Sequence, residues 1–330
     1  MPSSAFSSYS FMGALAAIGE KTQQRVDMDA PAQGRAIMEA VAPIAPDIER
    51  TGELFTAEEL ATIATSDVRE LDQFFRERGF SIPLPSRLPG GLGLGAVLDI
   101  LAKWAVPGRP IEPGNVCAYP QVYMKVDEKG FAVLPGSGIF ERKPEGNASD
   151  VNYNPIVAIF SIGGDVVLLG MVEQPPSPDK LVEAGVALAN HFSLFERGGI
   201  SDKAMRGMIW PDGGPGFAPG KGSLYFPMVD MEVERQFPEI RGMVLSSGSI
   251  RMPVEYAVQV NRLRMNEKGA RAQSASAMTF RAAAMGRAVN IYIDQGFLFT
   301  IYRPGTIQPV FTAWVDPKDW KKPTSIETLQ

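Results

Sequence analysis

Apolar and polar residues alternate along this chain with two different periods, and the period changes part-way. Phe11, Leu15 and Ile18 recur at helical spacing behind a serine-rich start that can cap a helix, which predicts one over Phe11–Arg25. Thr56 and Glu59 form a capping-box pattern ahead of "LATIA" and predict a second helix; Ser66 precedes Val68, Leu71, Phe74 and Phe75 on one face of a third, which ends at Gly79. Pro/Gly punctuation follows in "SIPLPSRLPGGLGLG", and "AVLDILAKW" from Ala96 to Trp104 is apolar enough for a strand or a short helix. From there strands dominate. "IVAIFSIGGDVVLLGMV" from Ile156 to Val172 predicts a hairpin turning at Gly163-Gly164-Asp165, and "FLFTIYRPGTIQPVFTAWV" a second one turning at Pro304-Gly305. "SLYFPMVDMEVE" and "VEYAVQVNRLRM" are further strands, with Glu232 and Glu234 on a solvent face. Helices early and strands late predict an α+β fold.

One stretch resists this reading. "RMNEKGARAQSASAMTFRAAAMGRA" is composed like a linker, yet Ala270, Ala272, Ser274, Ser276, Met278 and Phe280 are all small or apolar, while the alternate positions include Arg271 and Arg281. That alternation describes a strand with one buried face. The alanine content suits a helix equally, and the window alone leaves both open.

Composition narrows the function classes. The 330 residues are 45% apolar, enough for a substantial core in one domain spanning 1–330, and the net charge of −5 with no basic run argues against nucleic acid or an anionic membrane as partner. Cys117 is the sole cysteine, read as a small buried hydrophobe, so no intrachain disulfide framework exists. The apolar opening has no Lys or Arg before Lys21, so it lacks the basic region of a signal peptide, and no compartment follows. His191 is the one histidine, read as an ordinary residue; no GxSxG or HExxH pattern accompanies it, and "GGLGLG" at Gly90 has the wrong spacing for a dinucleotide fingerprint and reads as a turn. No enzyme, metal site or cofactor is expected.

The segment "NEKGARAQSASA", followed by "GFLFTIYRPGTIQPVFTAWVDP", resembles the C-terminal region of the serpins, in which an acidic-x-Gly hinge leads through small residues and an exposed reactive loop to a final strand pair of the type PFLFxI…FxGxVxxP. "FSSYSFMGALAAIGEKTQQ" resembles the family's helix B region, with Ser7, Ser10, Ala14, Leu15 and Thr22 at matching positions. "LDILAKWAVP" resembles the strand ending at the family's tryptophan, here Trp104, and "VAIFSIGGDVVLLGMVEQPPSPDKLVEAG" and "GSLYFPMVDMEVE" resemble its hairpin-plus-helix and the strand after it. The departures are specific. The usual first helix is absent, residues 30–95 are too few for the full helix set, Gln259 occupies the shutter histidine position, Ala96 falls near the expected asparagine, and Gly296 replaces a proline.

The resemblance implies helices packed on a large mixed sheet with two smaller sheets, and a reactive loop over about 267–289. It implies a monomeric suicide-substrate inhibitor of serine proteases, whose cleaved loop inserts into the main sheet. Glu267 and Gly269 would form the hinge; Ala270, Ala272, Ser274, Ala275 and Ser276 would insert; Ser7, Ser10, Trp104 and Gln259 would line the shutter and breach. Counting about seventeen residues from Glu267 puts the scissile bond at Ala283-Ala284, which suits an elastase- or subtilisin-like protease; counting back from Phe297 gives Met285, and Arg287 would attract a trypsin-like one. The shortened helical region leaves a non-inhibitory serpin-like binding or structural protein as the alternative.

Overall fold

The computed structural model describes residues 2–22, 27–86, 93–114, 117–126, 131–134, 156–171, 175–178, 180–196, 222–247, 250–254, 256–271, 273–274 and 289–326. The chain opens with β1 (Ser4–Phe6), α1 (Ser8–Thr22), β2 (Asp27–Asp29) and three short helices, α2 (Arg35–Val41), α3 (Ala45–Glu49) and α4 (Thr51–Leu54). Then come β3 (Leu60–Thr65), α5 (Val68–Arg76), β4 (Gly93–Leu98), β5 (Leu101–Lys103), β6 (Arg109–Ile111), β7 (Gln121–Val126) and β8 (Phe131–Leu134). The hairpin β9 (Ile156–Phe160) and β10 (Val166–Met171) leads to α6 (Leu181–Glu196). The remainder is strand: β11 (Gly222–Pro227), β12 (Val229–Gln236), β13 (Val244–Ser247), β14 (Ile250–Pro253), β15 (Val258–Asn266), β16 (Gly269–Arg271), β17 (Gln273–Ser274), β18 (Val289–Tyr292), β19 (Phe297–Tyr302) and β20 (Phe311–Val315).

Among the described residues this α+β fold has five sheets, two of them small, β14-β13-β2 and β3-β4. A six-stranded sheet, β1-β20-β19-β10-β9-β8, is the structural centre. Every residue from Val166 to Met171 in β10 is buried, which is why that hairpin reads as an unbroken apolar run: both faces are covered. Helix α6 lies on β19 and β20, and Gly185 permits the close approach, because a Cβ there would stand 2.2 Å from Thr312 Oγ1. Gly296, at the position of the usual proline, faces the Trp314 ring, 2.5 Å from where a Cβ would be. A four-stranded sheet, β18-β11-β7-β6, packs at one side, and β12-β15-β16-β5-β17 forms a five-stranded sheet.

Several elements differ from the sequence reading. The Thr56/Glu59 capping box forms, with the Thr56 amide donating to Glu59 Oε2 at 2.9 Å and the Glu59 amide to Thr56 Oγ1 at 3.2 Å, but it closes a single turn and "LATIAT" continues as β3. Full pairing of β3 with β4 outweighs the local helical start. Of "GGLGLG", Gly93–Gly95 is strand, not turn, and residues 90–92 lie outside the described residues. Gly95 sits in β4 because a Cβ would meet Phe75 of α5 at 2.9 Å. "AVLDILAKW" breaks into β4 and β5 at Asp99-Ile100, and "SLYFPMVDMEVE" divides at Met228 between two sheets. Cys117 is half-exposed in the turn between β6 and β7, where its carbonyl accepts from the Gly114 amide at 2.8 Å.

Candidate functional site

The strands β15 and β4 run past each other without pairing. Among the described residues β4 pairs with β3, and β15 pairs with β12 and β16, so two strand edges face a common gap. The gap is a cavity of ≈ 250 Å³, lined on its two sides by Val258–Asn261 and Gly93–Leu98. Helix α1 floors it through Phe11, Ala14, Leu15 and Ile18. Its outer side is covered by Phe80, Ile82 and Leu84, which pack with Leu71, Phe75 and Val97. The cover is tied to β15 and its approach: the Arg262 guanidinium donates to the Gly79 carbonyl at 3.2 Å and the Tyr256 hydroxyl to the Pro83 carbonyl at 3.1 Å. Burial, with the Glu234 carboxylate nearby, pushes the Tyr256 phenol above its ordinary value, so it remains a donor at neutral pH.

At the upper end of the gap the segment Gly269–Arg271 lies within the sheet. After β15 the chain turns at Glu267-Lys268 and returns as β16, which runs antiparallel to both β15 and β5 and lies between them. Gly269 is required there, since a Cβ would stand 2.4 Å from the Ala102 carbonyl oxygen. Ala270 is 0% exposed opposite Met265 and Ala102. The turn is docked on the Trp104 region: the Trp104 indole donates to the Asn266 carbonyl at 2.9 Å, the Trp104 amide to the Lys268 carbonyl at 2.9 Å, and the Gly108 amide to the Glu267 carbonyl at 2.8 Å. Past Arg271 the chain reverses, because β17 runs parallel to β5 where β16 runs antiparallel.

At the lower end a buried polar cluster joins β15 to the start of α1. Gln259 accepts from the Ser7 amide at 3.2 Å through Oε1, and its Nε2 donates to the Ser7 carbonyl at 2.9 Å and to Ser10 Oγ at 2.7 Å. Asn261 adds a donation from Nδ2 to the Ala5 carbonyl at 3.1 Å and another to Gln259 Oε1 at 3.1 Å. A neutral amide carries this set of bonds without titrating, so the cluster holds over the range in which an imidazole would change charge.

The structure thus brings Ser7, Ser10 and Gln259 together at one end of β15, and Trp104, Glu267, Gly269 and Ala270 at the other. The β17 backbone includes Ser274. Ala272, Ala275, Ser276, Ala283, Ala284, Met285 and Arg287 lie outside the described residues, as does the His191 side chain. Sequence reasoning missed Asn261. Its signal was available: Gln259, Asn261, Leu263 and Met265 occupy the inward positions of β15, so two amides stand on the buried face.

No family model matches the sequence, and no curated protein matches it. Solved structures do. Thyroxine-binding globulin in complex with thyroxine superposes with a TM-score of 0.53 over 95% of this chain and 92% of that one, at 12% identity. Serpin48, described as a highly specific serpin of the insect Tenebrio molitor, gives a TM-score of 0.47 over 96% and 92%, also at 12% identity. At this identity the likeness defines architecture. The chain has the serpin fold.

Proposed function

We propose that the chain is a suicide-substrate inhibitor of serine proteases that works by strand insertion, and that it is not itself an enzyme. The observation that supports this best is β16: a strand of the hinge seated between β15 and β5, next to the ≈ 250 Å³ cavity lined by β15 and β4, which do not pair with each other. Continuing the β16 register would place Ala272 beside Leu263, Ser274 beside Asn261 and Ser276 beside Gln259, all on the inward face. Small side chains fit there; large ones would collide with α1.

In this mechanism the protease serine Oγ attacks the carbonyl of the scissile residue. The C–N peptide bond breaks, an ester to the protease forms, and the amine leaves as a new N-terminus. The freed segment then zips down the gap. Roughly ten residues of ladder at about 1 kcal/mol each, with apolar burial at about 25 cal/mol per Å², release more than ~10 kcal/mol, enough to distort an attached active site. The uncleaved form is then a kinetically trapped state. Ala283-Ala284 is the assigned bond, which favours an elastase- or subtilisin-like protease.

Incubation with a panel of serine proteases tests this directly. A protease–inhibitor adduct resistant to SDS, whose released C-terminal fragment begins at Ala284, supports the reading; an N-terminus at Gly286 or Ala288 moves the bond and changes the protease class. Cleavage without any adduct favours a second reading, a non-inhibitory binding protein, to which the likeness to a binding globulin lends weight.

A further inference from the structure

The hinge strand is not held by its ladder alone. Arg271, at the end of β16, is 9% exposed, and each of its three guanidinium nitrogens donates a hydrogen bond. Nε and Nη2 donate to the two carboxylate oxygens of Asp99 at 3.2 and 3.0 Å, and Nη1 donates to the Ile326 carbonyl at 3.0 Å. Its cross-strand partner on β15 is Arg264, whose Nη1 donates to the next carbonyl of the same segment, that of Ser325, at 3.3 Å. Two arginines directly opposite each other repel. Here the repulsion is offset from both flanks, by Asp99 against Arg271 and by Asp230, 3.5 Å from Arg264, on the adjoining strand β12. The carbonyls of Ser325 and Ile326 cap the pair from outside the sheet.

That capping segment is itself anchored. Ile326 is 2% exposed, Pro323 is buried, and Trp320 is 8% exposed with its ring 4.4 Å from that of Tyr119. The exposed Lys322–Glu112 pair at 2.6 Å adds little by itself.

We propose that residues Trp320–Ile326, together with Asp99, form a strap that holds Arg271 and thereby keeps the first three residues of the hinge inserted. The strap and Asp99 act as positioning groups: they touch no substrate, and they fix the strand end from which insertion proceeds. In the register of β16, Arg271 already occupies the place it keeps after full insertion. The strap therefore does not resist insertion; it supplies a formed first segment, so that zipping begins without a nucleation step. This consequence for inhibition rests on the function proposed above, whereas the strap's hold on the hinge does not.

Two variants test it, a chain ending after Lys322 and the full chain with Asp99→Asn. Hydrogen–deuterium exchange of the Gly269–Arg271 amides is compared with that of Val258–Leu263 as an internal control. Exchange at the hinge rising on the order of tenfold or more in both variants, with the control segment unchanged, is the expected result. Equal hinge protection in variant and parent overturns the strap. The second readout is the number of inhibitor molecules consumed per protease trapped, expected to rise in both variants. If hinge exchange rises but neither parent nor variant traps any protease, the strap stands and the inhibitory reading fails. If trapping is efficient in all three chains and hinge exchange is unchanged, the strap fails and the inhibitory reading stands.

Discussion

Replacing Ala270 with Arg attacks the account at its narrowest point. Ala270 is 0% exposed, as are its two cross-strand partners Met265 and Ala102, so a longer side chain has no room on the inward face. What holds β16 in place is bounded by its length: three residues laddered on both sides give about half a dozen backbone hydrogen bonds at ~1 kcal/mol net each. An unpaired guanidinium buried there carries a penalty of several kcal/mol, comparable with that whole ladder. The variant therefore expels the hinge, and the first step of insertion becomes uphill. Titrating protease with Ala270→Arg should yield mostly cleaved, dissociated chain, and the inhibitor consumed per protease trapped should rise several-fold. Ala270→Gly, which keeps the volume small, should stay near the parent value. An Ala270→Arg chain that traps protease as efficiently as the parent refutes strand insertion through this gap.

Other expectations follow from packing and charge. Gly185→Ala forces a Cβ onto Thr312 at the α6–β20 contact and should lower stability by about 1–3 kcal/mol, read from the urea midpoint. Arg303 donates to Asp165 at 2.9 Å and to Glu59 at 2.9 Å, and Asp165 is 1% exposed; Arg303→Met should cost about 3–5 kcal/mol, far more than Arg76→Met at the exposed Asp72 pair. Burial first, and then Asp47, raise the Tyr9 phenol above its ordinary 10.0. A raised folded-state value means the contribution is complete below pH 10 and is lost as pH climbs beyond it, so the parent should lose stability above pH 10 more steeply than Tyr9→Phe.

The two hairpins, α1 and α5 were legible because each writes its burial as a period, and β10 and β19 as unbroken apolar runs; the expected alternation at the hinge is not seen in β16, where Arg271 is buried like Gly269 and Ala270. Strand β3 was not, because Thr56 and Glu59 satisfy a helix start and an isolated turn equally well; only pairing with Gly93–Leu98 decides, and that partner lies beyond the intervening α5. Of the polar cluster, Ser7, Ser10 and Gln259 came from resemblance, while Asn261 needed no resemblance, only the inward parity of its strand. The strap could not be read at all. Its acceptors are the backbone carbonyls of Ser325 and Ile326, which every residue carries, and its donors, Arg264 and Arg271, look in sequence like ordinary surface charges.

The central claim is that the gap between β15 and β4 is filled by the chain's own loop after cleavage. The most direct measurement is the melting temperature of the chain before and after a single cut between residues 283 and 288 by a protease it does not trap. Insertion releasing more than ~10 kcal/mol should raise the melting temperature by ~10 °C or more, where a nick in an ordinary loop lowers it. A cleaved chain that melts at or below the temperature of the intact one contradicts the account.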